Sequence, residues 1–180
     1  MKLTPAISRL LFHPTLAWTL LKTRVLKTER HWTEIDEVLI LGALPRRREL
    51  ALFEELSIGG VINMCAEWNG NVSRYDALGI EQLHLPTPDF HSPDLDAVTR
   101  GVEFIASHAD RGQRVYCHCK AGRGRSATIA VGWVMNSLDL SPEEAEQHLL
   151  EKRPQVNRRL ASRKAIREFK VAEKDASPSA

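Results

Sequence analysis

A glycine-rich loop between two apolar segments most limits the folds open to this chain. Residues 115–118 have the composition of a short buried strand, and an almost wholly apolar helix is predicted after Ser126. Between them stands Cys-Lys-Ala-Gly-Arg-Gly-Arg at residues 119–125. In open α/β sheets, ligands bind beyond the carboxyl ends of strands, where amides at a following helix N-terminus can contact an anion. The segment therefore predicts an anion site at the edge of a sheet.

Strands and helices alternate along the rest of the chain. Apolar or alternating runs predict three more strands, at residues 38–41, 61–64 and 80–85. Helical spacing predicts a helix at 47–56 that ends before Gly59-Gly60, and another from 95 to near Gly112. Ser141-Pro142-Glu143-Glu144 is a capping box that begins a further helix. This alternation predicts an α/β fold with a mostly parallel central sheet flanked by helices.

Length and charge favour one folded domain. The chain has 180 residues, of which 43% are hydrophobic, and a net charge of +2 excludes a strongly charged disordered chain. Residues 1–28 contain five basic residues and no acid, so they are predicted to form a basic amphipathic segment. The folded domain is expected at 29–172, followed by a disordered tail at 173–180.

The two basic regions each permit two interpretations. In residues 1–28 the longest uncharged run is too short to span a bilayer, which takes about 20 residues. As a helix, this segment would place Leu11, Trp18, Leu21 and Val25 on one face, which could lie peripherally on an anionic membrane or pack on the domain core. An acid-free start is also compatible with an organelle transit peptide. The basic run at 151–170 is either a solvated helix face or an attractant for an anionic ligand. Only one aromatic residue, Phe169, lies in this run, which argues against nucleic acid.

The cysteine of the loop is predicted to be a nucleophile. Gly122 and Gly124 permit positive dihedrals and a close approach of the backbone to a phosphate, and Arg125 can donate to two phosphoryl oxygens. A helix dipole and an arginine should lower the pKa of Cys119 into the range of activated cysteines, roughly 3.5 to 7.5. Three cysteines form neither a disulfide framework nor a zinc-finger spacing, so a reducing intracellular compartment is expected and Cys117 is expected in the core.

The loop resembles the active-site signature of a known superfamily. His118-Cys119, five residues and Arg125-Ser126 are similar to the signature of the cysteine-dependent protein tyrosine phosphatases, and the short domain resembles their dual-specificity branch. Four segments, at 12–16, 41–45, 118–126 and 141–145, are similar to the mitochondrial phosphatidylglycerophosphate phosphatase family and its plant and bacterial relatives. The resemblance implies a dual-specificity phosphatase fold in 29–172 and catalysis without a metal or other cofactor. It also makes a mitochondrial location possible in a eukaryote.

The resemblance implies a role for each loop residue. Cys119 would attack phosphorus and form a cysteinyl-phosphate, while Arg125 and the loop amides would bind the phosphoryl oxygens. Ser126 would donate a hydrogen bond to the departing thiolate. His118 would either support the loop and tune the cysteine or serve as an ordinary structural histidine. The phosphate-binding residues implied are Lys120, Ala121, Gly122, Arg123, Gly124 and Arg125.

A general acid must protonate the leaving alcohol. Asp89, in Thr87-Pro88-Asp89-Phe90, matches the position of the family's acid. Asp94 and Asp96 compete for the role, but after Ser92-Pro93 they are better suited to the first turn of a helix. Asp89 is therefore the predicted acid.

The substrate and a redox role remain open at the level of sequence. Lys120 and Arg123 add two charges that favour an anionic phospholipid headgroup, unless they only repel protons from the cysteine or face solvent. A phosphoprotein, a phosphoinositide or a non-catalytic phosphate-binding role are the alternatives. The stretch from Asn63 to Glu67 resembles the phosphoinositide phosphatase in which a second cysteine traps the oxidised nucleophile, so Cys65 is either a redox partner of Cys119 or an ordinary buried cysteine.

Overall fold

A five-stranded sheet organises the protein. The computed structural model describes residues 13–18, 21, 26 and 30–169. The strands are β1 (Trp32–Glu34), β2 (Leu39–Gly42), β3 (Ile58–Cys65), β4 (Glu81–Thr87) and β5 (Arg114–His118). Their order is β1-β2-β5-β3-β4, with β1 antiparallel to β2 and the other pairings parallel. The predicted α/β fold with a mostly parallel sheet is confirmed.

Helices cover both faces of this sheet. They are α1 (Arg47–Leu50), α2 (Val72–Ala77), α3 (Leu95–Ala109), α4 (Arg125–Leu138) and α5 (Pro142–Lys152). Residues 13–18 and 164–169 are also helical. Alternate strand residues face two cores: Leu41 and Cys117 belong to the larger one with α3 and α4, and Ile40 and Tyr116 to the smaller one. Residues 125–135 of α4 are all buried, as the nearly continuous apolar sequence requires.

The helix predicted at 47–56 is wrong beyond Leu50. Helix α1 is followed by turns, and β3 already begins at Ile58, so Gly59 and Gly60 lie inside a strand. A Cβ on Gly60 would lie 2.6 Å from His108 Nε2 and 2.7 Å from Phe104 Cε1. This glycine therefore serves the close approach of α3 to the sheet and does not end a helix.

Other local predictions agree with the structure. Ser141 accepts a hydrogen bond from the Glu144 amide, whose side chain accepts one from the Ser141 amide at 2.9 Å, which completes the capping box of α5. The edge strand β1 and the six-residue α2 were not predicted, since neither is long enough to show a periodic pattern.

The predicted end segments fall largely outside the described residues. Leu11 and Val25 of the expected amphipathic face are not among them, and neither is the tail at 173–180. No helix in the described part of the chain is long and apolar enough to cross a membrane. Strands β3, β4 and β5 run parallel, so the loops that follow them meet at one edge of the sheet.

Candidate active site

The loop after β5 curls around the sulfur of Cys119. The Gly122 amide and the Ser126 hydroxyl each donate to Cys119 Sγ at 3.3 Å. Gly122 has a φ of 66°, and a Cβ there would lie 2.4 Å from the carbonyl oxygen of Gly42. Only glycine meets both constraints without strain. The backbone thus directs donors at the position that an attacking sulfur must occupy.

The predicted positive dihedral at Gly124 is wrong. Its φ is −126°, so no positive dihedral is needed there. A Cβ on Gly124 would lie 3.0 Å from Asn157 Nδ2, and the Asn157 amide donates to the Arg123 carbonyl at 2.8 Å. This glycine serves the close approach of a neighbouring segment.

The surroundings of Cys119 favour its thiolate. Burial raises the pKa of this thiol. The Arg125 charge and the hydrogen bonds donated by Ser126 and Arg123 outweigh burial, so the pKa falls from an ordinary 9.0 to about 6. The sulfur is therefore mainly ionised at neutral pH, as the loop sequence predicts. Cys117, one residue before His118, lies in the core, where burial raises its pKa.

Arg125 joins three loops at the sheet edge. Its Nη1 donates to Glu67 Oε2 at 2.9 Å and to the Thr87 carbonyl at 2.7 Å, and its Nη2 donates to Asp89 Oδ1 at 3.1 Å. The side chains of Arg125 and Glu67 are only 3% and 4% exposed. Such charge-assisted bonds fix the plane of the guanidinium beside the loop.

Asp89 lies in the same cavity as Cys119, and its two competitors do not. Asp89 accepts from Arg125 and from Lys120 Nζ, and it is largely buried. Asp94 caps α3 by accepting from the Ala97 amide at 2.9 Å, and Asp96 forms an ion pair with Arg100 along the same helix. The structure therefore brings Asp89 alone of the three acids to the candidate nucleophile.

Lys120 and Arg123 are held by specific partners. Lys120 is buried and also donates to Thr15 Oγ1 at 2.6 Å, in the helical segment at residues 13–18. Arg123 Nε donates to the Gln155 carbonyl at 2.8 Å. Neither side chain is a merely solvated cation, which removes one interpretation left open by the sequence.

A cavity of about 490 Å³ contains these groups. Its walls include most of the 119–125 loop together with Asp89, Asn157 and Arg163. Trp18 and Phe90 also line it and are 56% and 55% exposed. The site is therefore strongly basic inside and aromatic at its mouth.

His118 is buried beneath the loop. Burial lowers its pKa to about 3, so the imidazole is neutral at physiological pH. Its Nδ1 lies 3.3 Å from the Cys119 carbonyl oxygen, and its ring contacts the rings of Trp68 and Tyr116. A neutral ring cannot add a positive charge beside the thiolate, so any tuning of Cys119 must act through loop geometry.

The sequence did not predict the roles of two residues that support the site. Glu67 accepts from Arg125 and also from the Asp89 amide at 2.6 Å, so one carboxylate holds both groups. Arg153 is fully buried and donates to the Gly122 carbonyl at 3.0 Å and to Thr33 Oγ1 at 2.9 Å. The role of Arg153 could not be predicted because this residue belongs to a basic run typical of a solvated helix face. The role of Glu67 could not be predicted because its contact with Arg125 depends on the tertiary fold and not on a sequence motif.

Cys65 lies at the end of β3, in the strand next to β5. The register pairs Asn63 with His118, so both strands deliver a cysteine to the same edge. Cys65 is fully buried, and burial raises the pKa of its thiol. The Asn63 side chain accepts from the Cys65 amide and donates to the Trp68 carbonyl, both at 2.9 Å, which orders the turn that contains Glu67.

Comparison with known proteins agrees with this geometry. Residues 39–172 match the family model of the dual specificity phosphatase catalytic domain. The chain is 36% identical over 176 residues to the human phosphatidylglycerophosphatase and protein-tyrosine phosphatase 1, covering 93% of this chain and 88% of the relative. It is 35% identical over 164 residues to the phosphatidylglycerophosphate phosphatase PTPMT2 of Arabidopsis thaliana, covering 89% and 72%.

A solved structure supports the same assignment. The crystal structure of PTPMT1 in complex with PI(5)P superposes with a TM-score of 0.75 at 31% identity, covering 82% of this chain and 99% of that one. Fold, family model and sequence relatives thus agree with the resemblance carried by the loop. The chain belongs to the dual specificity phosphatase family, in the group with the phosphatidylglycerophosphate phosphatases, and is a phosphoric monoester hydrolase of the cysteine-dependent protein tyrosine phosphatase superfamily.

Proposed function

We propose that this protein removes the terminal phosphate of phosphatidylglycerophosphate through a cysteinyl-phosphate intermediate. One observation carries the proposal: the thiol of Cys119, with a pKa of about 6, accepts hydrogen bonds from the 119–125 loop in a cavity that also contains Arg125 and Asp89. The choice of phosphatidylglycerophosphate as substrate rests on the relatives that are named as phosphatases of this lipid.

In the first step, the Cys119 thiolate attacks phosphorus and the ester bond to the glycerol oxygen breaks. Without substrate, Arg125 donates to Asp89 and Glu67. An entering phosphoryl group competes for these donors and for the loop amides, so it draws Arg125 away from Asp89. Asp89 takes up a proton from solvent when it loses Arg125. It then acts as general acid and transfers this proton to the leaving alkoxide oxygen, which departs as an alcohol.

In the second step, water attacks the cysteinyl-phosphate. Asp89, now ionised, accepts a proton from the water, the S–P bond breaks, and inorganic phosphate forms. The Ser126 hydroxyl, which donates to Cys119 Sγ at 3.3 Å, stabilises the departing thiolate. After phosphate leaves, Asp89 loses this proton to solvent and pairs again with Lys120 and Arg125.

The charge of the cavity supports an anionic lipid headgroup. Phosphatidylglycerophosphate carries a phosphodiester besides the monoester that is cleaved, and Arg123 and Arg163 line the cavity beyond the catalytic arginine. The related structure with bound PI(5)P shows that a relative accommodates another phospholipid headgroup of this chemistry. An aryl phosphate or phosphotyrosine has no second phosphate with which to use these arginines.

The mouth of the cavity supports peripheral contact with a membrane. Trp18 and Phe90 expose aromatic rings there, and Phe90 adopts a φ of 64°, which is costly for a bulky residue and is retained mainly at functional positions. Aromatic rings favour the bilayer interface, and basic residues favour its anionic headgroups. Binding should thus be stronger to vesicles that contain phosphatidylglycerol than to neutral ones, and a Trp18→Ala variant should lose part of that preference in a sedimentation assay.

The location proposed is an intracellular reducing compartment, and the mitochondrion if the host is a eukaryote. Cys65, Cys117 and Cys119 are all free thiols, and the mechanism requires Cys119 to remain reduced. Fractionation with an antibody against the native protein tests this, and recovery from an oxidising extracellular fraction would contradict it.

A second function, hydrolysis of phosphotyrosine in proteins, is favoured by one finding. The human relative is named both as a phosphatidylglycerophosphatase and as a protein-tyrosine phosphatase. The same nucleophile and acid serve both substrates, so the difference between them is one of selectivity.

Steady-state kinetics on matched substrates test the proposal. The substrates are vesicular phosphatidylglycerophosphate, vesicular PI(5)P, a phosphotyrosine peptide and an aryl phosphate, with Cys119→Ser as the blank. The expected result is a kcat/KM on phosphatidylglycerophosphate at least about tenfold above that on the peptide, equal to about 1.4 kcal/mol of preferential transition-state binding. Preference for the peptide would replace the lipid assignment with the second function.

A further inference from the structure

The catalytic cavity continues past the 119–125 loop to a wall that takes no part in the two bond-breaking steps. Asn157 and Arg163, which follow α5 in the chain, form this wall. Both side chains converge on the outer edge of the loop: a Cβ on Gly124 would lie 3.0 Å from Asn157 Nδ2 and 3.6 Å from Arg163 Nη2. Two nitrogen donors therefore flank the point where the loop turns into α4.

Arg163 differs from the catalytic arginine in its partners. Arg125 pairs with two carboxylates, whereas Arg163 Nη1 donates to the Gly124 carbonyl at 3.1 Å and to the Thr128 hydroxyl, both uncharged. Among residues 30–169, no carboxylate forms an ion pair with Arg163. A guanidinium has five N–H donors, and the bonds from Nη1 leave Nη2 and Nε for another acceptor.

The environment of Arg163 favours an anion. The side chain is half-buried, and burial lowers its pKa, although the guanidinium stays charged. Glu146 and the Cys119 thiolate act on this charge only at longer range than an ion pair. A half-buried cation without a paired carboxylate gains more from an incoming anion than a solvated one does. The transferred phosphoryl group occupies Arg125 and the loop amides, so an anion at Arg163 must belong to another part of the substrate.

We propose that Arg163 and Asn157 form a second anion subsite that binds the phosphodiester of the substrate while the terminal monoester lies in the loop. The inference rests on the proposed function and names the group by which the enzyme selects its lipid. A phosphodiester keeps two unesterified oxygens that share one negative charge, which suits the paired donors of a guanidinium. The glycerol between the two phosphates connects the subsites.

Two short-chain lipids, used below their micelle-forming concentrations, isolate this contact. Short-chain phosphatidylglycerophosphate carries both a monoester and a diester, and short-chain phosphatidic acid carries only a monoester. The native enzyme should prefer the first by at least tenfold in kcat/KM. Arg163→Gln should reduce that preference about tenfold. The side chain of Asn157 forms none of the loop's hydrogen bonds, and Asn157→Ala should reduce the preference by a smaller factor.

Arg167→Gln is the matched control. Arg167 lies four residues after Arg163, in the helical segment at 164–169, is exposed, and pairs with Glu143. Its variant removes the same charge without touching the cavity, so the preference between the two lipids should stay at its native value. An equal fall in preference with Arg167→Gln would show general electrostatic attraction and overturn the subsite.

A binding readout separates the subsite from mere support of the loop. Short-chain phosphatidylglycerol contains the diester without the monoester, so it should inhibit hydrolysis of an aryl phosphate by native enzyme and inhibit Arg163→Gln about tenfold more weakly. Parallel loss of activity on both lipids with unchanged inhibition would show that Arg163 only supports Gly124, and the subsite would be wrong.

The outcomes distinguish the subsite from the function on which it rests. If native enzyme hydrolyses both lipids equally well, a lipid phosphatase remains but the diester subsite is overturned. If it hydrolyses an aryl phosphate or a phosphopeptide and neither lipid, the proposed function fails and the subsite fails with it.

Discussion

Cys117 and Cys119 stand on either side of His118, both are buried, and the pKa values of their thiols shift in opposite directions. Cys117 is in the core between β5 and α4, where burial raises the pKa of its thiol. Cys119 is also buried, and burial raises its pKa too, yet the net shift is downward to about 6. Burial alone therefore does not determine reactivity.

The difference lies in what surrounds each sulfur. Cys117 Sγ donates one weak hydrogen bond, to the Ser126 carbonyl at 3.7 Å. Cys119 Sγ accepts from the Gly122 amide and the Ser126 hydroxyl, and Arg125 adds a positive charge. Two residues apart in the chain, Cys117 has hydrophobic surroundings and Cys119 has surroundings that stabilise an anion. Predictions that alter one cysteine or its donors test this comparison directly.

The largest effect should come from exchanging each sulfur for oxygen. Cys119→Ser should lower kcat on an aryl phosphate by about 10⁴-fold or more, because a serine hydroxyl without a base is a poor nucleophile. Cys117→Ser should keep most activity and instead cost about 1–3 kcal/mol of stability, because it buries a hydroxyl in the core. Kinetics and urea unfolding of both variants measure this. Comparable activity in the two variants would contradict the assignment of the nucleophile.

The next largest effect concerns the acid opposite the thiolate. Asp89→Asn should lower kcat on phosphatidylglycerophosphate by about 10²- to 10⁴-fold, the usual contribution of a general acid. The loss on an aryl phosphate should be smaller, since a phenolate leaves without full protonation. Asp96→Asn is the matched control, because Asp96 is exposed and, within the described part of the chain, pairs only with Arg100 along α3. Equal losses on both substrates would show that Asp89 only positions Arg125.

The local chemistry of the nucleophile could be predicted from sequence because its parts are contiguous. Residues 118–126 contain the cysteine, the glycines, the arginine and the serine in one strand–loop–helix unit. Asp89 could also be separated from Asp94, since capping preferences assign the latter to a helix start. Each of these inferences depends on spacing within a few residues.

The residues that orient this chemistry could not be predicted in the same way. Glu67 reaches Arg125 only because β3 lies between β5 and β4, an order that no local pattern specifies. Arg153 and Arg163 belong to one basic run, yet the first is fully buried under the loop and the second is half-buried in the cavity wall. Charge in a sequence does not reveal burial, so two arginines with different roles had the same sequence pattern.

A smaller effect should appear in the pH dependence of Cys119. The thiolate predominates above a pKa of about 6, so its alkylation by iodoacetamide should be fast at pH 7 and fall as the pH drops below 6. The Ser126 hydroxyl stabilises the ionised form, so Ser126→Ala should raise the midpoint by about 1 pH unit. Alkylation followed by mass spectrometry measures it without interference from the ionisation of a phosphate substrate. An unchanged midpoint would mean that Arg125 and the amides suffice.

The smallest effect on resting activity should come from Cys65, the third cysteine at this edge. Hydrogen peroxide oxidises the Cys119 thiolate to a sulfenic acid, and attack by the Cys65 thiol on that sulfur would release water and form a disulfide. The parallel register of β3 and β5 brings the two chain segments together, although burial raises the pKa of Cys65 and slows the attack. Non-reducing peptide mapping should recover a Cys65–Cys119 peptide, and dithiothreitol should restore activity.

Variants of the two other cysteines sharpen this test. Cys65→Ser should keep native activity before oxidation but proceed to an irreversible sulfinic acid at Cys119, whereas Cys117→Ser should still form the disulfide. Formation of sulfinic acid at the same rate in native protein and Cys65→Ser would show that Cys65 is only a core residue. Cys117 lies in β5, two residues before the nucleophile, and faces the core. A disulfide from Cys119 to Cys65 and not to Cys117 would therefore show that the loop sets which thiol reaches the sulfenic acid.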